Sequence, residues 1–182
     1  MNEARWATPD LQSLVDLFYA DPAALGRFTE RSSDLIPAAY KSLLAHDAHM
    51  TVTLEAHHQS EVIVEVLESQ KTATHYSRKI VLRRKSDNVP VLFGIVRLSL
   101  DFLPDHVQDE IMAQQTPLGR VLIQNQILRT VKLLSLWEVE PADELSQIFA
   151  EVKSPESQCF GRTALIYCDG LPAVELLEIA RI

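Results

Sequence analysis

Arg78 stands at the head of the apolar run Lys79-Ile80-Val81-Leu82, and on strand alternation it shares a face with Ile80 and Leu82. A guanidinium on an apolar face must meet an anion, because burying it unpaired costs on the order of several kcal/mol. That anion is either one of the chain's 25 acidic residues, in a structural ion pair, or a ligand. Glu175 and Glu178 interrupt the apolar C-terminal run, and their odd separation puts them on opposite faces of a strand, one outward and one toward the core. An inward carboxylate is a candidate acid or hydrogen-bond partner for a ligand, or else the neutraliser of an arginine. Thr116-Pro117-Leu118-Gly119 reads as a helix start, with Thr116 as cap and Pro117 at the first helical position. Its unpaired backbone N–H groups favour a nearby anion, as those of any helix do.

Other reactive residue types carry less. His46 and His49 are three apart, and His57 and His58 are adjacent, so the latter pair points to different faces and chelates poorly. Half-buried or solvated histidines and no metal site are therefore expected. Arg83-Arg84-Lys85 sits at a hairpin tip and reads as a solvated turn. Cys159 and Cys168 match no common zinc spacing and read as free thiols. Gly-rich phosphate loops, GxSxG, HExxH and paired CxxC motifs are absent from the sequence.

The elements that must position these residues change character along the chain. Residues 1–46 read as helical: Asp10 caps a helix through Ala20, Pro22 opens a second holding Leu25 and Phe28, and Pro37 opens a third through Ala45. After residue 60 the period falls to two. Strands are expected over 61–68, 78–84, 89–101, 127–140, 161–168 and 173–182, with helices at 106–114, from 117, and at 142–152. Lys85–Asn88 and Asp169-Gly170 are turn signals that make hairpins of the strands beside them. The expected architecture is one α+β domain over 1–182, a single antiparallel sheet of about six strands with helices on one face.

Composition bounds the function. A chain of 182 residues with 17 basic and 25 acidic side chains carries a net charge of −8, which disfavours general binding to nucleic acid or anionic membrane. The early acids and missing apolar segment of the first sixteen residues do not read as a signal peptide, and no stretch approaches a membrane span. A cytoplasmic protein, monomer or homodimer, is the default expectation.

The ordered set of segments resembles a known family. Met50-Thr51 precedes an apolar segment; then follow EVIVEVL (61–67), SRKIVL (77–82), TPLGRVL (116–122) and GRTALIYCDGLPAVELLEI (161–179). This is similar to the chorismate lyases, especially their small, divergent bacterial branch, from about Leu43 to the C-terminus. The best marks are Pro117-Leu118-Gly119 before an apolar helix and a terminal strand of Gly-x-Pro, a mostly apolar run, then Glu. The chain departs from the family in lacking the aromatic residue and proline that often follow that glutamate.

The resemblance implies a sheet and helices enclosing a product-sized pocket, and cleavage of chorismate to 4-hydroxybenzoate and pyruvate without cofactor or metal. It places the carboxylate-binding arginine at Arg78 and the essential glutamate at Glu178 rather than Glu175. It places further substrate contacts at Met50, Thr51, Leu118 and Gly119. Arg78 would hold a ring carboxylate in its planar fork, Glu178 would hydrogen-bond the 4-hydroxyl, and the helices of 104–124 would close as a lid. The rival expectations are a non-catalytic domain that senses a small aromatic acid, a lyase acting on a related ether, and a structural interaction protein. A sensor would need a partner chain, because no helix-turn-helix with a basic recognition helix is legible.

Overall fold

Alternating apolar positions from residue 62 onward build six strands of one antiparallel sheet, and a seventh joins its edge; side by side among the described residues they run 26–31, 129–141, 159–168, 171–180, 90–99, 75–84 and 62–71. The structure, a computed structural model, describes residues 10–182. The strands are β1 (Gly26–Arg31), β2 (Val62–Lys71), β3 (His75–Arg84), β4 (Pro90–Ser99), β5 (Arg129–Pro141), β6 (Cys159–Cys168) and β7 (Leu171–Ala180). The helices are α1 (Leu11–Val15), α2 (Ala38–Leu44), α3 (Met50–His58), α4 (Asp105–Met112), α5 (Leu118–Gln124) and α6 (Asp143–Ile148). The leader expectation falls partly on residues 1–9, outside the described residues.

The α+β class and the single antiparallel sheet are as expected, with seven strands among the described residues where about six were expected. The extra strand is β1, in a segment expected to be helical, so the N-terminal part over 1–46 is not wholly helix. Pro22 starts only a short 3-10 turn, after which Gly26 adopts a φ of 153° that an L side chain rarely tolerates. Pairing with β5 then decides the conformation. Arg27 and Arg31 form ion pairs with Glu140 and Glu138, and Phe28 meets Trp137 edge-on at 6.3 Å between ring centroids. Asp169 and Gly170 both take positive φ, 50° and 84°, as a two-residue hairpin between β6 and β7 requires.

Helices α2 to α5 cover one face of the sheet. Tyr40, Leu43 and Leu44 of α2 and Met50 and Leu54 of α3 pack on Ile80, Leu82, Leu92 and Phe160. Val107 and Ile111 of α4 and Leu118, Val121 and Leu122 of α5 pack on Val96, Ala164, Ile166 and Leu176. Each fully buried leucine here contributes about 1.5–3 kcal/mol. The short helices α1 and α6 lie on the opposite face, where Leu14, Leu145 and Phe149 meet Val81, Phe93, Ile95 and Leu177. Both faces of the central strands are thus dry, which is why β3, β4, β6 and β7 read as nearly continuous apolar runs.

Candidate functional site

Sheet register puts two rows of side chains under α2 to α5. One row runs Arg78, Val96, Leu176 and Ala164; the next, two residues along, runs Ile80, Gly94, Glu178 and Arg162. At about 4.8 Å per strand and about 3.3 Å per residue, the Arg78 and Glu178 Cα atoms lie about 12 Å apart. A narrow cavity of about 40 Å³ sits over these rows. At roughly 10–15 Å³ per water, it has room for a few waters. Ile80, Gly94, Val96 and Leu176 form its floor, and Met50, Thr51, Leu118 and Gly119, with Glu178, complete its walls.

Five of the six expected site residues therefore line one cavity. The two helix starts meet so closely that a Cβ on Gly119 would lie 2.8 Å from the Thr51 hydroxyl oxygen, which is why glycine stands there. Thr116 does not cap α5: Pro117 occupies the cap position and no side chain bonds the first turn.

Arg78 adjoins the cavity without lining it. Its side chain is 0% exposed beneath α4. Nη1 donates to the Ile111 carbonyl at 3.3 Å, while Nε and Nη2 are buried without a hydrogen-bond partner. Among the described residues no carboxylate pairs with it, so the structural ion pair weighed from the sequence is absent. Burial holds its pKa below the ordinary guanidinium value.

The two glutamates fall on opposite faces. Glu175 pairs with Arg97 on the far side of the sheet, and Glu178 faces the cavity. Arg162 donates from Nε to Glu178 Oε2 at 2.6 Å, with the arginine 1% and the glutamate 8% exposed. Arg162 also donates from Nη1 to the His46 carbonyl at 2.9 Å, which ties the α2–α3 connection to the sheet and sets where α3 begins.

Arg162 and His49 also line the cavity; Arg162 was not singled out from the sequence, and His49 was weighed there only as a metal ligand beside His46. Arg162 was legible as a charge on the apolar face of β6, by the same alternation that marks Arg78. His49 carried only its spacing from His46. Its Nε2 accepts from Arg129 Nε at 2.6 Å, and burial, then Arg129 and Arg162, bring its pKa down to about 4. His46 is also lowered, chiefly by burial and then by Arg162. Among the described residues no group of three or more His, Cys, Asp or Glu side chains lies together as a metal site would require. Cys159 and Cys168 are buried free thiols pushed up to about 11 by burial. Arg83, Arg84 and Lys85 pair with Glu65, Asp87 and Glu61 at the sheet's edge. No helix among the described residues is long and apolar enough to cross a membrane.

No family model matches the chain, and no curated protein is similar to it at a significant level. Solved structures are similar in fold. The C-terminal domain of Yurk from Bacillus subtilis is 17% identical, with 64% of this chain and 88% of that one covered and a TM-score of 0.46. PhnF from Mycobacterium smegmatis is 13% identical, with 74% and 64% covered and a TM-score of 0.49, so the chain spans under two thirds of it. The C-terminal domain of the histidine utilization repressor from Pseudomonas syringae pv. tomato is 10% identical, with 66% and 92% covered and a TM-score of 0.44.

The expectation of an enzyme is corrected here. The similar structures carry the names of a repressor and of GntR-family regulators, including a ligand-binding domain, where the resemblance in sequence implied a lyase. The likeness to the chorismate lyases is kept as a likeness of fold.

Proposed function

We propose that this chain binds a small aromatic carboxylate of the hydroxybenzoate class and does not transform it. The observation that carries the proposal is Arg78, a fully buried guanidinium with two unpartnered N–H-bearing nitrogens beside a cavity. A carboxylate is the group that matches a planar fork with two free donor sites. Its arrival supplies the missing counter-charge without further desolvation of the arginine.

The ring lies on the apolar floor of Ile80, Gly94, Val96 and Leu176, between Met50 and Leu118. The hydroxyl at its far end donates to Glu178, which Arg162 holds in place. The ligand enters as α4 and α5 draw back, since the Ile111 carbonyl of α4 covers Arg78 and Leu118 of α5 covers the ring site. A sensing role follows from this: with α4 and α5 closed the cavity holds only a few waters, so a bound ring keeps these helices displaced and changes the surface shown to a partner chain.

The test is a titration of the purified protein with 4-hydroxybenzoate, benzoate and 4-hydroxybenzyl alcohol, followed by thermal shift, with a parallel incubation in chorismate assayed for pyruvate. Stabilisation by the first acid, less by the second and none by the alcohol supports the proposal. Equal response to the alcohol removes the carboxylate site, and release of pyruvate overturns the non-catalytic role.

A further inference from the structure

Besides lining the buried cavity, His49 and Val131 border an open surface depression of about 590 Å³ walled by Asp47, Gln126, Ile127, Arg129 and Thr130. His49 therefore stands where the cavity meets the outside. Its ring is fixed by its neighbour. Arg129 Nε bears a hydrogen and can only donate, so His49 Nε2, 2.6 Å away, must present its lone pair. The single proton of the neutral imidazole is then on Nδ1. The depressed pKa of about 4 agrees with a neutral ring. Nδ1 is directed toward the start of α5, 3.6 Å from where a Cβ of Gly119 would stand, on the cavity side. No hydrogen bond from Nδ1 to another described residue occupies it. Arg129, whose Nη1 is anchored on the Ile127 carbonyl, sets a fixed positive charge behind the ring.

We infer that His49 and Arg129 form a second anion subsite at the cavity mouth, selecting aromatic acids that carry a second carboxylate next to the hydroxyl. The inference rests on the proposed binding of a hydroxybenzoate. With one carboxylate on Arg78 and the hydroxyl at Glu178, the ring position beside the hydroxyl faces the Arg162 end of the cavity. His49 lies there, close enough to feel the Arg162 charge. A carboxylate at that position accepts from Nδ1–H and lies within the field of Arg129. The donor, and not a generic positive patch, gives the subsite its selectivity, because the arginine fixes which nitrogen carries the proton.

The experiment compares 4-hydroxybenzoate with 4-hydroxyisophthalate by calorimetry on the full chain. The charge-assisted hydrogen bond is expected to favour the diacid about tenfold or more. His49→Asn keeps a donor at the δ position and retains that preference; His49→Gln places its amide at the ε position and loses it. Arg129→Met frees the tautomer, and the ring nitrogen shifts of ¹⁵N-labelled His49 move from the protonated-Nδ1 pattern to a mixture. Equal affinity for the two acids in the unaltered protein, or a preference that survives His49→Gln, overturns the mouth subsite while leaving the hydroxybenzoate site standing. Binding of neither acid overturns both.

Discussion

Replacing Arg78 by methionine is expected to make the ligand-free protein more stable, the reverse of the usual outcome of changing a fully buried side chain. Methionine keeps the length and most of the volume of the stem. What is lost is one charge-assisted hydrogen bond, Nη1 to the Ile111 carbonyl, worth about 1.5–3 kcal/mol. What is relieved is the desolvation of a cation with no counter-charge, on the order of several kcal/mol after relaxation. The balance favours the variant by about 1–3 kcal/mol, and about 2–4 °C in melting temperature per kcal/mol for a chain of this length. Urea unfolding with an unchanged slope measures it, because a change in midpoint alone reports stability. Adding 4-hydroxybenzoate should shift the balance back toward the parent: at about 100 times the parent's Kd the ligand adds about 2.7 kcal/mol to the unaltered protein and, at about thirtyfold weaker binding, about 0.9 kcal/mol to the variant. A variant less stable than the parent by more than about 1 kcal/mol would refute the reasoning, because Arg78 would then be compensated within the fold.

Other expectations follow from the same contacts. Glu178→Gln removes the counter-charge of Arg162, which is 1% exposed, and should cost about 3 kcal/mol in urea unfolding, near the lower end for a broken buried pair. Gly119→Ala forces its methyl against the Thr51 hydroxyl and should weaken 4-hydroxybenzoate binding several-fold in calorimetry, although alanine favours the helix by about 1 kcal/mol. His49 and His58, both held near a pKa of about 4 chiefly by burial, bind fewer protons folded than unfolded below their ordinary value of about 6.5. Stability is then fully present above about pH 6.5 and is lost as the pH falls toward about 4. Urea midpoints across that window should fall on acidification, and less steeply in His58→Gln. Hydrogen exchange should slow in Asp105–Met112 and Leu118–Gln124 when ligand binds, and unchanged exchange there would remove α4 and α5 as a lid.

The sheet was legible because its strands announce themselves twice, by alternation and by turn residues. Asp169-Gly170 and Lys85–Asn88 fixed two hairpins, and the odd spacing of Glu175 and Glu178 fixed their opposite faces, which the register with Arg97 and Arg162 reproduces. β1 was not legible. Its six residues hold one buried position, and it is a strand only because the edge of β5 lies beside it. The helix α3 was hidden for a related reason: Met50, Thr51 and Leu54 are its buried residues, too few to set a period among the polar ones. Within the site, charge on an apolar face was a sufficient signal for Arg78 and equally for Arg162. Nothing in the spacing of His49 indicates Arg129, which is 80 positions away and meets it only through the fold.

Calorimetric titration of 4-hydroxybenzoate into the parent protein and Arg78→Met decides whether Arg78 awaits a ligand's carboxylate, as proposed. One site per chain is expected in the parent, with a loss of affinity of at least about thirtyfold in the variant, the lower end for truncating one partner of a buried charge pair. Equal affinity in the two proteins, or no binding to the parent, would contradict that role.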